Sequence, residues 1–182
     1  KSKVLSLTLP FLLDAQLSAS RVEPDGDRTK RMEWNLLLGR YERRLGYSWI
    51  EFGRLDAAGD PQYLTLGCGL SAVAGRSRVD AWNFLTSQRV GEALHLITPK
   101  RTAISRDGLS EALGAHGRVF ETARDYRRAV DERLFQLGDR YDALIDTLIQ
   151  LRQPQLSKKP DEANLSEALT NALPELSRLV ME

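Results

Sequence analysis

Apolar and polar residues alternate in several short segments of the first half of the chain. The alternation is clear in residues 47–53, 63–73 and 81–86, and a fourth apolar run spans residues 93–97. A period of two places every second side chain on the same face of a strand. Asp60 and Pro61 interrupt the first two runs as a turn would. The pattern predicts four strands joined by short connections, in an antiparallel or mixed sheet.

A helical period replaces this alternation in the second half. Ser105 precedes a short apolar-periodic segment that stops at Gly114, which predicts a helix with an N-cap and a glycine stop. Longer helices are predicted for residues 123–137, ending at Gly138, and for residues 141–151. A polar stretch at 152–164 then leads to a last predicted helix at 165–181, whose apolar stripe fits either packing on the domain or the root of a coiled coil.

The N-terminal region is harder to assign from its pattern alone. Residues 3–13 fit a strand by their alternation and a helix by their density of apolar side chains. Residues 14–30 are polar and contain Pro24 and Gly26, which predicts a long loop. The order of elements indicates an α/β or α+β domain over residues 1–151, followed by a polar connector and helix at 152–182.

Composition narrows the functional classes only a little. The chain of 182 residues is 42% hydrophobic and 28% charged, and its net charge of +1 gives no overall attraction to nucleic acid or membrane. The apolar run at residues 4–13 is too short to span a bilayer. A single cysteine, Cys68, excludes an internal disulfide and fits a cytoplasmic protein. Because the first residue is not Met, we expect a processed, truncated or partial chain.

The rarer side chains give no catalytic or metal motif. His95 and His116 have no ligand partners at metal-binding spacing, and Cys68 has no histidine motif near it. The three tryptophans are predicted to be core or packing residues rather than base-stacking platforms. They are Trp34, Trp49 and Trp82.

Several longer motifs resemble one protein family across nearly the whole chain. They are residues 1–14 (KSKVLSLTLPFLLD), 20–27 (SRVEPDGD), 31–39 (RMEWNLLLG), 46–54 (GYSWIEFGR), 87–91 (SQRVG), 134–138 (LFQLG) and 151–157 (LRQPQLS). In these motifs the chain resembles the N-terminal head of the SMC-like, MukB-related ATPases of bacterial Wadjet (JetC-type) plasmid-defence systems.

The resemblance implies a fold and a cofactor. It implies a partial P-loop (ABC-type) ATPase head with a mixed or antiparallel sheet and flanking helices, incomplete without upstream strands and the C-terminal half of the head. Lys1 and Ser2 would end the Walker A loop G-x-x-x-x-G-K-[ST], with Lys1 on the β- and γ-phosphates of ATP and Ser2 on Mg²⁺. Residues 4–13 would then be the helix after that loop. The Walker B acids and signature motif would lie elsewhere, so this chain alone is expected to be inactive.

Two further residues acquire candidate roles from the same resemblance. Arg21 lies in the long loop where related heads place an arginine that reaches nucleotide or DNA, and a guanidinium forks well onto phosphate oxygens. The alternative is a loop arginine paired with Glu23 or Asp25. Gln136 lies where the family carries its Q-loop glutamine, which would touch Mg²⁺ and the attacking water. The competing glutamines are Gln150, Gln153 and Gln155.

The implied partners belong to the intact complex. They are the C-terminal half of the same head, a second head in a homodimer, kleisin-like and accessory subunits, a nuclease and double-stranded DNA, with no membrane. Three basic clusters are candidates for DNA contact: Arg40, Arg43 and Arg44; Lys100, Arg101 and Arg106; Arg124, Arg127 and Arg128. The alternative is that these are solvated faces, since acids are interleaved. A rival hypothesis for the whole chain is a non-enzymatic DNA- or protein-binding module without a nucleotide site.

Overall fold

A four-stranded antiparallel sheet forms the centre of the protein. The computed structural model describes residues 9–22, 32–76 and 78–151. The strands are β1 (Arg43–Leu55), β2 (Pro61–Val73), β3 (Asp80–Thr86) and β4 (Gly117–Phe120), and they are adjacent in chain order. The helices are α1 (Leu9–Asp14, with π-type turns), α2 (Ala19–Val22), α3 (Met32–Leu37), α4 (Arg106–Leu113), α5 (Ala123–Val130) and α6 (Arg140–Leu151). The prediction of a sheet with flanking helices is confirmed.

The alternating pattern correctly located β1, β2 and β3. The two long strands β1 and β2 pair over their full length, from Arg43 opposite Val73 to Leu55 opposite Pro61. β3 pairs antiparallel with β2, and β4 pairs antiparallel with β3. β2 lies between β1 and β3, and its residues 65–72 are buried without interruption.

Different elements cover the two faces of the sheet. On the first face, Leu66 packs with α5 and α6, while Cys68 packs with α1. On the second face, Trp82 and Phe84 pack against the segment between β3 and α4 and against α4 itself, whose Leu109 is fully buried. Helices α1, α5 and α6, which contribute to the candidate site described below, therefore all lie on the first face.

The predicted helix caps at α4 are confirmed. The Ser105 hydroxyl accepts a hydrogen bond from the Gly108 N–H at 3.1 Å, which satisfies one of the free N–H groups of the first turn. Gly114 follows the last residue with a φ of 49°, which favours glycine. The helix predicted at 123–137 forms α5 and continues as a π-type turn, Asp131–Phe135.

Two predictions about N-terminal and central segments are corrected. The region predicted as a long loop at 14–30 contains α2 among its described residues. The strand predicted at 93–97 does not form: the segment has turns and takes part only in two isolated bridges, Val90 with Leu94 and Ile97 with Ala103. Its alternation is real, because Leu94 and Leu96 are buried between exposed neighbours, but these side chains pack on β3 from a loop.

The three tryptophans were predicted to be core or packing residues, and only Trp82 lies in the core. Trp82 is buried, but Trp34 is 62% exposed and Trp49 is 47% exposed. Trp49 lies on β1, an edge strand, and it belongs to none of the core clusters formed by the described residues. The predicted connector and helix at 152–182 lie outside the described residues.

Candidate functional site

The carboxyl end of α1 is held by side chains from three other elements. The last four carbonyls of a helix have no partner within the helix. In α1 each of them accepts a hydrogen bond from a side chain. The contacts are Asn83 Nδ2 to the Phe11 carbonyl (2.9 Å), the Tyr126 hydroxyl to Leu12 (2.8 Å), the Tyr141 hydroxyl to Leu13 (2.9 Å) and Arg127 Nη1 to Asp14 (3.2 Å). The end of α1 is thus fixed to β3, α5 and α6.

The two tyrosines are well suited to hold buried carbonyls. Tyr126 is fully buried and Tyr141 is nearly so. Burial raises the pKa of both hydroxyls above the ordinary value for tyrosine, so both keep the proton that they donate. A buried carbonyl left without a donor is destabilising, and these contacts remove that cost.

The Asp14 side chain is the centre of an ion-pair cluster. Its carboxylate is 2% exposed and accepts bonds from Arg21 through Nε at 2.5 Å and through Nη2 at 3.0 Å. Arg127 lies 4.0 Å from the same carboxylate. The two-point contact between Asp14 and Arg21 is the geometry in which a guanidinium binds a carboxylate most strongly. The hydrogen bond to Asp14 is the main reason that the pKa of Arg21 is raised.

Helix α6 completes this cluster. Arg21 Nη2 donates to Asp146 at 2.8 Å, and Arg127 Nε lies 3.1 Å from Asp142. Asp142 and Asp146 are four residues apart on a helix, so they share one face. We call Asp14, Arg21, Arg127, Asp142 and Asp146 the Asp14 cluster. Its three carboxylates and two guanidiniums give these five residues a net charge of −1, counted from the pairs above.

Of the residues predicted to bind ATP and Mg²⁺, Arg21 and Gln136 are described. Lys1 and Ser2 lie outside the described residues. Gln136 has an exposed side chain and follows the π-type turn in the left-handed region, with a φ of 55°. Its N–H donates to the Asp131 carbonyl at 2.7 Å. No hydrogen bond or ion pair among the described residues joins Gln136 to Arg21.

This geometry constrains how Arg21 could meet a phosphate. Two carboxylates, those of Asp14 and Asp146, bind its guanidinium, while Glu23 and Asp25, which were considered from the sequence, lie outside the described residues. These contacts use Nε and Nη2 of Arg21, so a phosphate that bound at either atom would displace a carboxylate. The exposed amide of Gln136 has no such constraint. Within residues 9–22, 32–76 and 78–151, no group of three or more His, Cys, Asp or Glu side chains is placed to hold a metal ion.

Sequence reasoning missed most of the residues that hold α1. Asn83 and Tyr126 were counted as members of a strand and of an apolar stripe. One signal was available in the sequence: each of the two side chains can form hydrogen bonds and stands at a position that the periodicity predicts to be buried. A buried polar group requires a hydrogen-bond partner. Arg127 was assigned to a basic cluster facing solvent, but its side chain is only 16% exposed. The identity of their common partner, α1, could not be read from spacing.

The remaining arginines of the three basic clusters differ in their contacts: some pair with a carboxylate and others lie on an aromatic ring. Arg106 pairs with Glu121 at 2.6 Å and Arg128 with Glu132 at 2.9 Å, both at exposed sites. Arg44 stacks on the ring of Tyr41, with 4.8 Å between the guanidinium carbon and the ring centroid. In the first basic cluster, Arg40 and Arg44 both lie on the Tyr41 ring, and the ion pairs between described residues include neither of them.

Cys68 is chemically protected by its position on β2. It is buried, and burial raises the pKa of its thiol to about 12. Since the thiolate is the reactive form, we expect native protein at pH 8 to resist Ellman's reagent, while protein unfolded in guanidinium reacts with one equivalent. Absorbance at 412 nm measures both. Fast stoichiometric labelling of native protein would show that the first face of the sheet opens readily.

Comparison of the chain with protein-family models, with curated proteins and with solved structures finds no match. Over the part of the chain that the structure describes, no helix is both long enough and apolar enough to cross a membrane.

Proposed function

We propose that the chain forms the N-terminal lobe of the ATPase head of an SMC-like protein related to the Wadjet ATPases. In this proposal Lys1 contacts the β- and γ-phosphates of ATP, and Ser2 and Gln136 contact Mg²⁺. Arg21 contacts a phosphate of the same nucleotide. In the intact protein, ATP binding and hydrolysis by paired heads would move DNA in defence against plasmids.

The observation that carries the proposal is the attachment of α1 to α6. α1 begins seven residues after Ser2 in the sequence, so a short segment joins it to the proposed phosphate-binding residues. The Leu13 carbonyl of α1 accepts a hydrogen bond from the Tyr141 hydroxyl of α6. Asp14 of α1 is linked to α6 through two arginines, Arg127 to Asp142 and Arg21 to Asp146. A shift of α1 on nucleotide binding would therefore be passed to α6, which precedes the proposed connector to the coiled coil. An ATPase head that drives coiled coils requires such a link between nucleotide and helix.

The Asp14 cluster also supports a specific role for Arg21. The net negative charge of the Asp14 cluster would repel a nucleotide. If Arg21 exchanged one of its carboxylate partners for a phosphate, nucleotide binding would change the contacts within the cluster. Asp146 is the partner that Arg21 can release at least cost, because its side chain is 56% exposed while that of Asp14 is buried.

The test is calorimetric titration of Mg²⁺·ATP into the full-length protein that carries this chain. We compare the wild type with Lys1→Ala and with Lys3→Ala, which removes the same charge two residues away. We expect Lys1→Ala to weaken binding at least roughly tenfold, because the P-loop lysine binds the phosphates directly, and Lys3→Ala to leave it unchanged.

Two outcomes would contradict the proposal. Equal binding by wild type and Lys1→Ala would place the nucleotide site elsewhere. No binding in any of the three proteins, with native circular dichroism retained, would favour a DNA- or protein-binding module without a nucleotide site.

A further inference from the structure

Strand β1 forms an open edge of the sheet. It is 13 residues long, and β2 is its one neighbour among the described strands. Natural proteins commonly protect such edges with proline, lysine, a bulge or short length, because an open edge can pair with a strand of another chain. β1 contains neither proline nor lysine, its register with β2 has no bulge, and residues 45–50 carry no charge. The edge is therefore open to strand pairing.

Two hydrogen bonds show which backbone groups of β1 face the open edge. The Ala74 N–H donates to the Glu42 carbonyl at 2.8 Å, and the Asp56 N–H donates to the Asp60 carbonyl at 2.9 Å. Both bonds fit the register of β1 with β2, one just before β1 and one just after it. Because bonded and non-bonded pairs alternate along an antiparallel ladder, the even-numbered residues of β1 bond to β2 and the odd-numbered residues direct their N–H and C=O groups outward. None of the hydrogen bonds between described residues uses these outward groups.

The outward-facing residues also share one face of the sheet. Leu45 and Tyr47 pack into the core of the second face, and the alternation of the strand puts Trp49 and Glu51 on that face with them. The half-exposed Trp49 lies beside a groove of about 460 Å³ between β1 and the segment at residues 90–103. A strand added at the open edge would therefore place its own side chains directly beside Leu45, Tyr47 and Trp49.

β1 is complementary to itself in one antiparallel register. About a two-fold axis at Tyr47, Arg43 of each copy lies opposite Glu51 of the other copy, and Leu45 of each copy lies opposite Trp49 of the other. Odd-numbered residues then meet odd-numbered residues, so the outward backbone groups of this stretch all join bonded pairs. Opposite charges at both ends and apolar contacts between them stabilise an antiparallel pair.

The two charged residues have room for such pairs. Arg43 is exposed, and the ion pairs formed by described residues do not include it. Glu51 accepts from Arg89 Nε at 2.8 Å through Oε1, which leaves Oε2 for a second donor. A two-fold axis placed two residues further along β1 fits less well, because it would bring the like charges of Arg44 and Arg54 opposite each other.

We propose that β1 pairs with β1 of a second copy of this chain, antiparallel about a two-fold axis at Tyr47. The sheet then continues through both copies, and Leu45 of each copy covers part of the exposed Trp49 indole of the other. A second copy is the occupant because this register brings opposite charges together at both ends of the contact. The inference is independent of the proposed nucleotide site, and the contact forms without ATP.

The test is sedimentation equilibrium of the full chain without nucleotide, over about 1 to about 100 µM, which covers moderate and weak dimers. We expect a species with twice the chain mass of 20.5 kDa. Trp49→Lys removes an apolar contact and adds a charge at two symmetric positions, so we expect it to weaken the dimer at least roughly tenfold. The control Arg54→Glu changes a charge on β1 outside residues 43–51 and should dimerise like the wild type.

An exchange of charges tests the register itself. Arg43→Glu alone brings two carboxylates together at each end of the contact, and Glu51→Arg alone brings two guanidiniums together, so we expect each variant to dimerise roughly tenfold more weakly. An equimolar mixture of the two variants restores opposite charges at both ends, and we expect a mixed dimer within about threefold of the wild-type affinity. Circular dichroism checks that each variant is folded. If Glu51→Arg unfolds because it also loses Arg89, then Arg43→Glu and Trp49→Lys still decide the question.

Four outcomes would overturn this inference. The first is a wild type that stays monomeric at every concentration, which would leave the edge to a strand of another protein. The second is full dimerisation by both Arg43→Glu and Trp49→Lys. The third is a mixture of the two charge variants that dimerises no better than either alone. The fourth is a dimer that forms only with Mg²⁺·ATP, because that contact would belong to the proposed ATPase head and not to β1.

Discussion

Replacing Gly67 with alanine is expected to lower the free energy of unfolding by at least about 3 kcal/mol. Gly67 lies on β2 directly opposite Phe84 of β3. A Cβ atom at Gly67 would lie 2.0 Å from Cζ and 2.1 Å from Cε1 of the Phe84 ring, far inside van der Waals contact. Urea unfolding followed by circular dichroism measures the change.

The surroundings of Phe84 explain why the strain cannot relax cheaply. Phe84 has no exposed surface, and the ring of Tyr47 contacts it edge-on with 6.2 Å between centroids. Gly69 stands in the same relation to Trp82, where an added Cβ would lie 2.3 Å from the indole. Both aromatic rings therefore lie flat across a glycine of the neighbouring strand. Moving either ring would disturb close packing on the whole second face.

The matched control is Gly46→Ala on β1. A Cβ added at Gly46 meets no atom within 4 Å, and its backbone is not in the left-handed region. Alanine costs less conformational entropy than glycine in a strand, so we expect a change within about 0.5 kcal/mol. If Gly67→Ala unfolds at the same urea concentration as Gly46→Ala, the glycine–aromatic packing described for β2 and β3 is wrong.

The elements that sequence predicted best are those whose signal is local. β1, β2 and β3 have long alternating patterns, and α4 has a capping serine and a stop glycine close in sequence. β4 was missed because its four residues are too few to show a period. The strand exists because Gly117 can lie against Thr86: a Cβ there would approach the Leu85 carbonyl to 2.4 Å.

The candidate sites depend on contacts between distant residues, which no local pattern contains. Arg21 was singled out, but its partner Asp146 is 125 positions away. Arg44 was assigned to a basic cluster, and the fold places its guanidinium on the Tyr41 ring and the Leu36 carbonyl of α3. The exposure of Trp49 depends on which elements pack on its face of the sheet, and this does not follow from the period of its own strand.

Replacing Asp14 with alanine is the second change expected to have a large effect, about 2–4 kcal/mol on the free energy of unfolding. It removes a buried carboxylate and leaves Arg21 and Arg127, 25% and 16% exposed, with fewer partners in a largely dry site. The loss is less than for fully buried arginines, because Asp146 and Asp142 still bind them. Chemical unfolding again supplies the measurement.

Two further variants decide whether the Asp14 cluster causes this loss. Asp146→Ala also removes a partner of Arg21 but from an exposed site, so we expect a change below about 1 kcal/mol. The double variant Asp14→Ala with Arg21→Ala removes the arginine together with the carboxylate, and part of the stability should return. A double variant whose loss equals the sum of the two single losses would mean that Asp14 and Arg21 are not coupled. In that case Asp14 would stabilise the end of α1 without Arg21, and the proposed exchange of a carboxylate for a phosphate at Arg21 would lose its basis.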